Sequence, residues 1–132
     1  MRHKIVREIQ QAKRRAVELR NKRDDAAASL RAAGYSSREM AERVTVQASR
    51  VRQYVTAGRI SGEYGSLQSF VDAYNAWEMA DAQLSRLREE RNRLVHEELK
   101  AGRVQNEVAA EFGVSQFLIS HILRNKGEVT LL

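Results

Sequence analysis

Cations dominate the side chains able to do chemistry in this 132-residue chain: Lys and Arg number 23 against 17 Asp and Glu, a formal charge of +6. A polyanion is the natural partner for that balance. The charge is uneven along the chain. Residues 1–66 hold 15 Lys/Arg against 7 Asp/Glu, net +8, and residues 67–132 hold 8 against 10, net −2. A grip on phosphates is therefore expected mainly from the first half; the plainer reading is that much of this charge coats solvated helix faces. Cysteine is absent, which excludes disulfides, Cys-containing zinc sites and thiol nucleophiles. His3, His96 and His121 are too scattered for a metal site, no Ser, His and acid fall in catalytic order, and no glycine loop cradles a phosphate. The expectation is a chain without enzymatic activity and without a cofactor.

The elements that must position these groups are helices. There is no proline, and the apolar content of 42% includes only 6% aromatics, so an all-α core of Ala, Val, Leu and Ile is expected. Sliding the chain against itself by 68 residues, without a gap, aligns Leu19-Arg20 with Leu87-Arg88, Arg23 with Arg91, Ala33-Gly34 with Ala101-Gly102, Glu39 with Glu107, Ala41 with Ala109 and Val46 with Val114. Apolar positions coincide as well: Met40 with Val108, Val44 with Phe112, Val51 with Ile119, Tyr54 with Ile122 and Val55 with Leu123. Two copies of one structural unit are expected.

Each copy opens on a long amphipathic helix, or on two helices joined at a bend. Ile5, Ile9, Ala12, Ala16, Leu19, Ala26, Leu30 and Ala33 form the first seam, interrupted by Arg23. Phe70, Tyr74, Trp77, Leu84, Arg91 and Val95 form the second, interrupted by Asp81 and Arg88. Trp77, Tyr74 and Phe70 accordingly read as seam core rather than a stacking platform. Gly34 and Gly102 stand where left-handed helix ends are expected. The stretch 58–66, with three glycines in nine residues, reads as the boundary. Ser66 or Ser69 can cap the second long helix, Ser69 having capping-box spacing to Asp72. The expected organisation is 1–58, a linker at 59–66, 67–127, and a tail at 128–132, with Val129 to Leu132 able to dock on the core or on another protein.

Residues 105–124, QNEVAAEFGVSQFLISHILR, resemble the helix-turn-helix of phage repressors and of the DNA-binding ends of site-specific recombinases. Ala109 is small where two helices cross, and Gly113 suits a turn needing positive φ. Val108, Phe112, Val114, Ile119 and Ile122 supply a shared core, and Ser115 an N-cap. Residues 37–56 repeat the pattern with Ala41, Val44, Val46, Val51 and Tyr54, and Ser36 with Glu39 forms a capping box. Thr45 departs from it, standing where glycine is usual, so a wider or slightly strained turn is expected.

The resemblance implies that each second helix enters a major groove of double-stranded DNA. Base contacts would come from Gln47, Ala48, Ser49, Arg52 and Gln53 in the first copy, and from Gln116, Phe117, Ser120, His121 and Arg124 in the second. Arg52 suits guanine, Gln53 adenine, and Phe117 a thymine methyl. Phe117 could instead pack against the neighbouring unit or a partner, and His121 could be ordinary surface. Backbone contacts would come from Arg38, Arg43, Arg50, Ser115, Asn125 and Lys126. A transcriptional regulator, a repressor of phage or bacterial type, is the leading expectation. Two long helices of about 45 Å would be suitable spacers between successive grooves. The rivals are an adaptor whose acidic C-terminal half binds a protein, and an accessory factor of recombination or segregation. Self-association through the long helices stays open. No signal-peptide pattern or 18-residue apolar stretch is present, so a cytoplasmic, nucleoid-associated protein without membrane attachment is expected.

Overall fold

The computed structural model describes residues 1–124, with the backbone of the last helix followed to Leu131. The chain is all-helical, and no strand occurs among the described residues. In chain order the helices are α1 (Lys4–Ala32), α2 (Ser37–Val44), α3 (Ala48–Ala57), α4 (Leu67–Lys100), α5 (Gln105–Phe112) and α6 (Gln116–Leu131). None is long and apolar enough to cross a membrane among the described residues. Both long helices are continuous, with 29 residues in α1 and 34 in α4, so neither is split into two helices.

Helix ends are fixed locally. The Glu39 amide donates to Ser36 Oγ at 3.0 Å while the Ser36 amide donates to Glu39 Oε1 at 3.1 Å, the full capping box. Ser66 caps α4: the Ser69 amide donates to Ser66 Oγ at 3.3 Å and the Ser66 amide returns to Ser69 Oγ at 3.4 Å. The expected Ser69–Asp72 box is replaced, because Asp72 accepts instead from the Gln68 side chain at 2.9 Å. α1 and α4 both end on a positive-φ glycine, Gly34 at 107° and Gly102 at 92°. The next amides close the ends, Tyr35 N–H to Leu30 carbonyl and Arg103 N–H to Glu98 carbonyl.

The chain divides into two compact units, residues 13–82 and residues 1–12 with 83–132. The divisions fall inside α1 and α4, whereas the organisation expected from the repeat ran along the chain.

In the 13–82 unit, Ala26, Ala27, Leu30, Met40, Ala41, Val51, Tyr54, Phe70 and Tyr74 form the buried cluster. Arg23, expected as a polar break in the seam, is part of this interior at 7% exposure. Its guanidinium donates twice to Asp24 Oδ1, at 3.0 and 2.8 Å, and lies 3.8 Å from the Tyr54 ring centre and 4.3 Å from that of Trp77. A cation so enclosed is tolerable because a carboxylate and two ring faces replace its water. Trp77 is thus half-buried core, as the seam suggested.

Residues 59–61, the start of the expected linker, are bound to α1. The Arg59 amide donates to Asp25 Oδ1 at 2.8 Å, and the Ser61 amide to Ser29 Oγ at 2.7 Å. Gly58 permits this approach: a Cβ there would sit 2.0 Å from the Asp24 carbonyl oxygen. In the other unit, Ile5, Val95, Val108, Phe112, Ile119 and Ile122 make the core. His3 joins it, stacking on Phe112 with ring centres 4.9 Å apart.

Two substitutions test the 13–82 interior by circular-dichroism melting. Gly58→Ala should cost about 1–3 kcal/mol, since backbone and not a flexible side chain must move. Arg23→Ala should cost about 3–5 kcal/mol by stranding Asp24. A melting temperature unchanged by both would refute this packing.

Candidate nucleic-acid interface

Two short helix pairs carry the predicted contact residues, and each pair turns through one left-handed residue. Thr45 has φ 57° and ψ 50°; Gly113 has φ 63° and ψ 35°. The hydrogen bonds also match. The amides of Thr45 and Val46 both donate to the Ala41 carbonyl, and those of Gly113 and Val114 both donate to the Ala109 carbonyl. The turn at Thr45 is therefore no wider than that at Gly113. It is strained, because a β-branched residue occupies a region where its Cβ crowds the following carbonyl.

The inner faces of the pairs are apolar. Met40, Ala41, Val51 and Tyr54 are buried in α2 and α3, as are Val108, Phe112, Ile119 and Ile122 in α5 and α6. Val44, Val46, Ala109 and Val114 are half-buried at the edges.

On the outer face of α3, Gln47, Ser49, Arg52 and Gln53 are exposed. Ala48 is less available than expected, because it packs against the core cluster. Gln47 and Arg50 meet with Thr45 and Val46 around an open recess of about 350 Å³. Gln47 is the N-cap of α3 but makes no side-chain cap bond. Arg50 also lies close to Tyr74, whose hydroxyl is pushed above its ordinary range by burial and by Glu78, with Arg50 pulling the other way. Arg38 is exposed and pairs with Glu42 at 3.7 Å. Arg43, Arg50 and Arg52 make no ion pair among the described residues.

On α6, Gln116, Phe117, Ser120, His121 and Arg124 are all exposed, Phe117 at 76%. Ser115 caps the helix by accepting from the Leu118 amide at 3.1 Å. Gln116 donates to Asn106 Oδ1, so it must exchange that bond to meet another group. Asn106 is a neighbour the sequence reading missed, since a contact ten residues apart depends on the crossing of α5 and α6. Asn125, Lys126 and the 128–132 tail lie outside the described residues.

Grouping charge by compact unit changes its distribution. Residues 13–82 hold 12 Lys/Arg against 9 Asp/Glu, net +3, and residues 1–12 with 83–132 hold 11 against 8, also net +3. The asymmetry between chain halves is thus absent between the units. Two cations of the unit that holds α5–α6 are already paired. Arg103 binds Glu98 and Glu111, which hold its guanidinium above the usual arginine range, Glu111 contributing most. On α4, Glu90 and Glu97 do the same for Arg93.

No family model, curated protein or solved structure matches the chain.

Thr45→Gly should raise stability by about 1 kcal/mol by removing the left-handed penalty, and Gly113→Ala should lower it by a similar amount. Urea melts of the two variants would check the opposite signs. A Thr45→Gly protein less stable than wild type would show that the threonine is not strained.

Proposed function

We propose that this chain is a sequence-specific double-stranded-DNA-binding regulator of transcription, of the repressor kind. In this reading α2–α3 and α5–α6 are two helix-turn-helix units related by the 68-residue repeat, with α3 and α6 as the recognition helices. The observation that carries the reading is the two-faced build of both pairs. Each buries one apolar face across a single left-handed residue. Each also leaves side chains suited to base edges on the opposite face of its second helix.

Matched details at the 68-residue spacing support the repeat. The turns at Thr45 and Gly113 share their hydrogen bonds, and the helix ends at Gly34 and Gly102 share theirs. Arg23 donates twice to Asp24, and Arg91 donates twice to Asn92 at 3.1 and 3.0 Å. Arg43, Arg50 and Arg52 supply cations around the first recognition helix that are not committed to carboxylates among the described residues. The adaptor alternative rested on an acidic C-terminal half, and that charge does not gather on either compact unit.

The two recognition helices differ, Arg52 and Gln53 on one against Ser120 and His121 on the other, so an asymmetric site is expected. Selection from random duplexes should enrich one such sequence of about two helical turns. Arg52→Ala/Gln53→Ala should relax preference in one half only and Gln116→Ala/His121→Ala in the other. Removing a bidentate bond to a base should cost about 1–3 kcal/mol of discrimination. If no sequence is enriched and binding disappears with salt, regulation by sequence recognition is ruled out. If only the first pair of substitutions matters, α6 serves a different partner.

A further inference from the structure

The two helix pairs place their cations differently. α2 and α3 carry Arg38, Arg43, Arg50 and Arg52, and the positions 68 residues later are Asn106, Glu111, Leu118 and Ser120. No Lys or Arg occurs anywhere from 105 to 123. α6 carries the exposed Arg124 and, in sequence, Lys126, so it is the turn before α6 and the first two turns of that helix that have no cation of their own.

The first residues of the chain lie where that charge is missing. The His3 amide donates to the Glu111 carbonyl at 2.8 Å, and its ring stacks on Phe112 while Nδ1 accepts from the Ile5 amide at 3.1 Å. These bonds tie residues 1–5 to the end of α5. Arg2 then crosses the turn: a Cβ on Gly113 would lie 2.7 Å from Arg2 Nη1, so the bare glycine leaves the room the guanidinium occupies. Arg2 is exposed, and no described carboxylate pairs with it. The corresponding turn residue of the other pair is Thr45, which has a full side chain, and that pair carries its own arginines.

We infer that Arg2 is a phosphate-contacting cation at the turn end of the α5–α6 pair, held over the Gly113 turn by His3 to meet the backbone beside α6. This inference rests on the DNA-binding reading and assigns a contact to a residue far outside the resembling motif. A phosphate contact positions the protein without reading bases, so its loss has a signature distinct from that of a recognition residue.

The test is fluorescence anisotropy of the full chain on its selected duplex across a salt series, with Arg2→Ala, Arg2→Lys and, for comparison, Arg52→Ala. Arg2→Ala should weaken binding by roughly three- to tenfold at low salt on every sequence alike. It should reduce the slope of log K against log salt by about 0.9. Arg2→Lys should restore both, and melting temperatures should match wild type. If Arg2→Ala leaves affinity and slope unchanged while Arg52→Ala weakens binding, the inference falls and the DNA reading stands. A loss of affinity with unchanged slope, not restored by lysine, assigns Arg2 a packing role and also overturns it. A wild-type chain that binds no duplex at all removes both.

Discussion

A helix of eight residues joined to one of ten buries too little apolar surface to offset the entropy of ordering it. That constraint governs the rest of this fold. The α2–α3 pair is completed by Ala26, Ala27 and Leu30 from α1 and by Phe70 and Tyr74 from α4. The α5–α6 pair is completed by Ile5 from α1 and Val95 from α4. Each short pair therefore needs a third and a fourth wall, and both long helices contribute to both units. The inner faces are spent on these walls, so among the described residues the outer faces of α3 and α6 are left to polar groups and one phenylalanine.

The turns obey a second, more local constraint. Sharp reversal after α2 and α5 requires one residue at positive φ, and the chain meets that demand in two chemistries, threonine and glycine. The difference is not only one of strain. Glycine at 113 leaves the surface of the turn open to Arg2, whereas threonine at 45 helps line the recess shared by Gln47 and Arg50. Equivalent backbone thus presents unlike surfaces, which suits a molecule proposed to read two unlike DNA segments.

Much of this was legible in the sequence because it depends on short-range pattern. The all-helical class, the capping box at Ser36 and Glu39, the cap at Ser115 and the glycine helix ends each follow from residues within a turn of one another. The buried positions Met40, Val51, Val108, Phe112 and Ile119 follow from helical spacing. Long-range pairings were not legible. Arg23 looked like a polar break because Tyr54 and Trp77, which enclose it, stand 31 and 54 positions later. Composition marks 59–66 as a linker but does not reveal that Asp25 and Ser29 receive the amides of Arg59 and Ser61. Among the candidate contacts, helical spacing located the exposed face of α3 but did not reveal that the half-buried Ala48 packs against the core cluster. It also missed the docking of His3, whose partners Glu111 and Phe112 lie more than 100 positions away.

The discontinuous unit has a consequence for synthesis. Residues 13–82 are one uninterrupted stretch, all of it made once residue 82 has left the ribosome, and can begin to fold while translation continues. Residues 1–12 must wait for 83 and beyond before Ile5 and His3 meet Val95 and Phe112. At ordinary elongation rates the seventy intervening residues take roughly 4–14 s to emerge, and residues near 112 later still. During that interval the apolar stripe at the start of α1 has no native partner. Residues 1–12 are thus made before the whole 13–82 stretch yet buried only after it, and the rate of translation sets the shortest time for which they stay exposed.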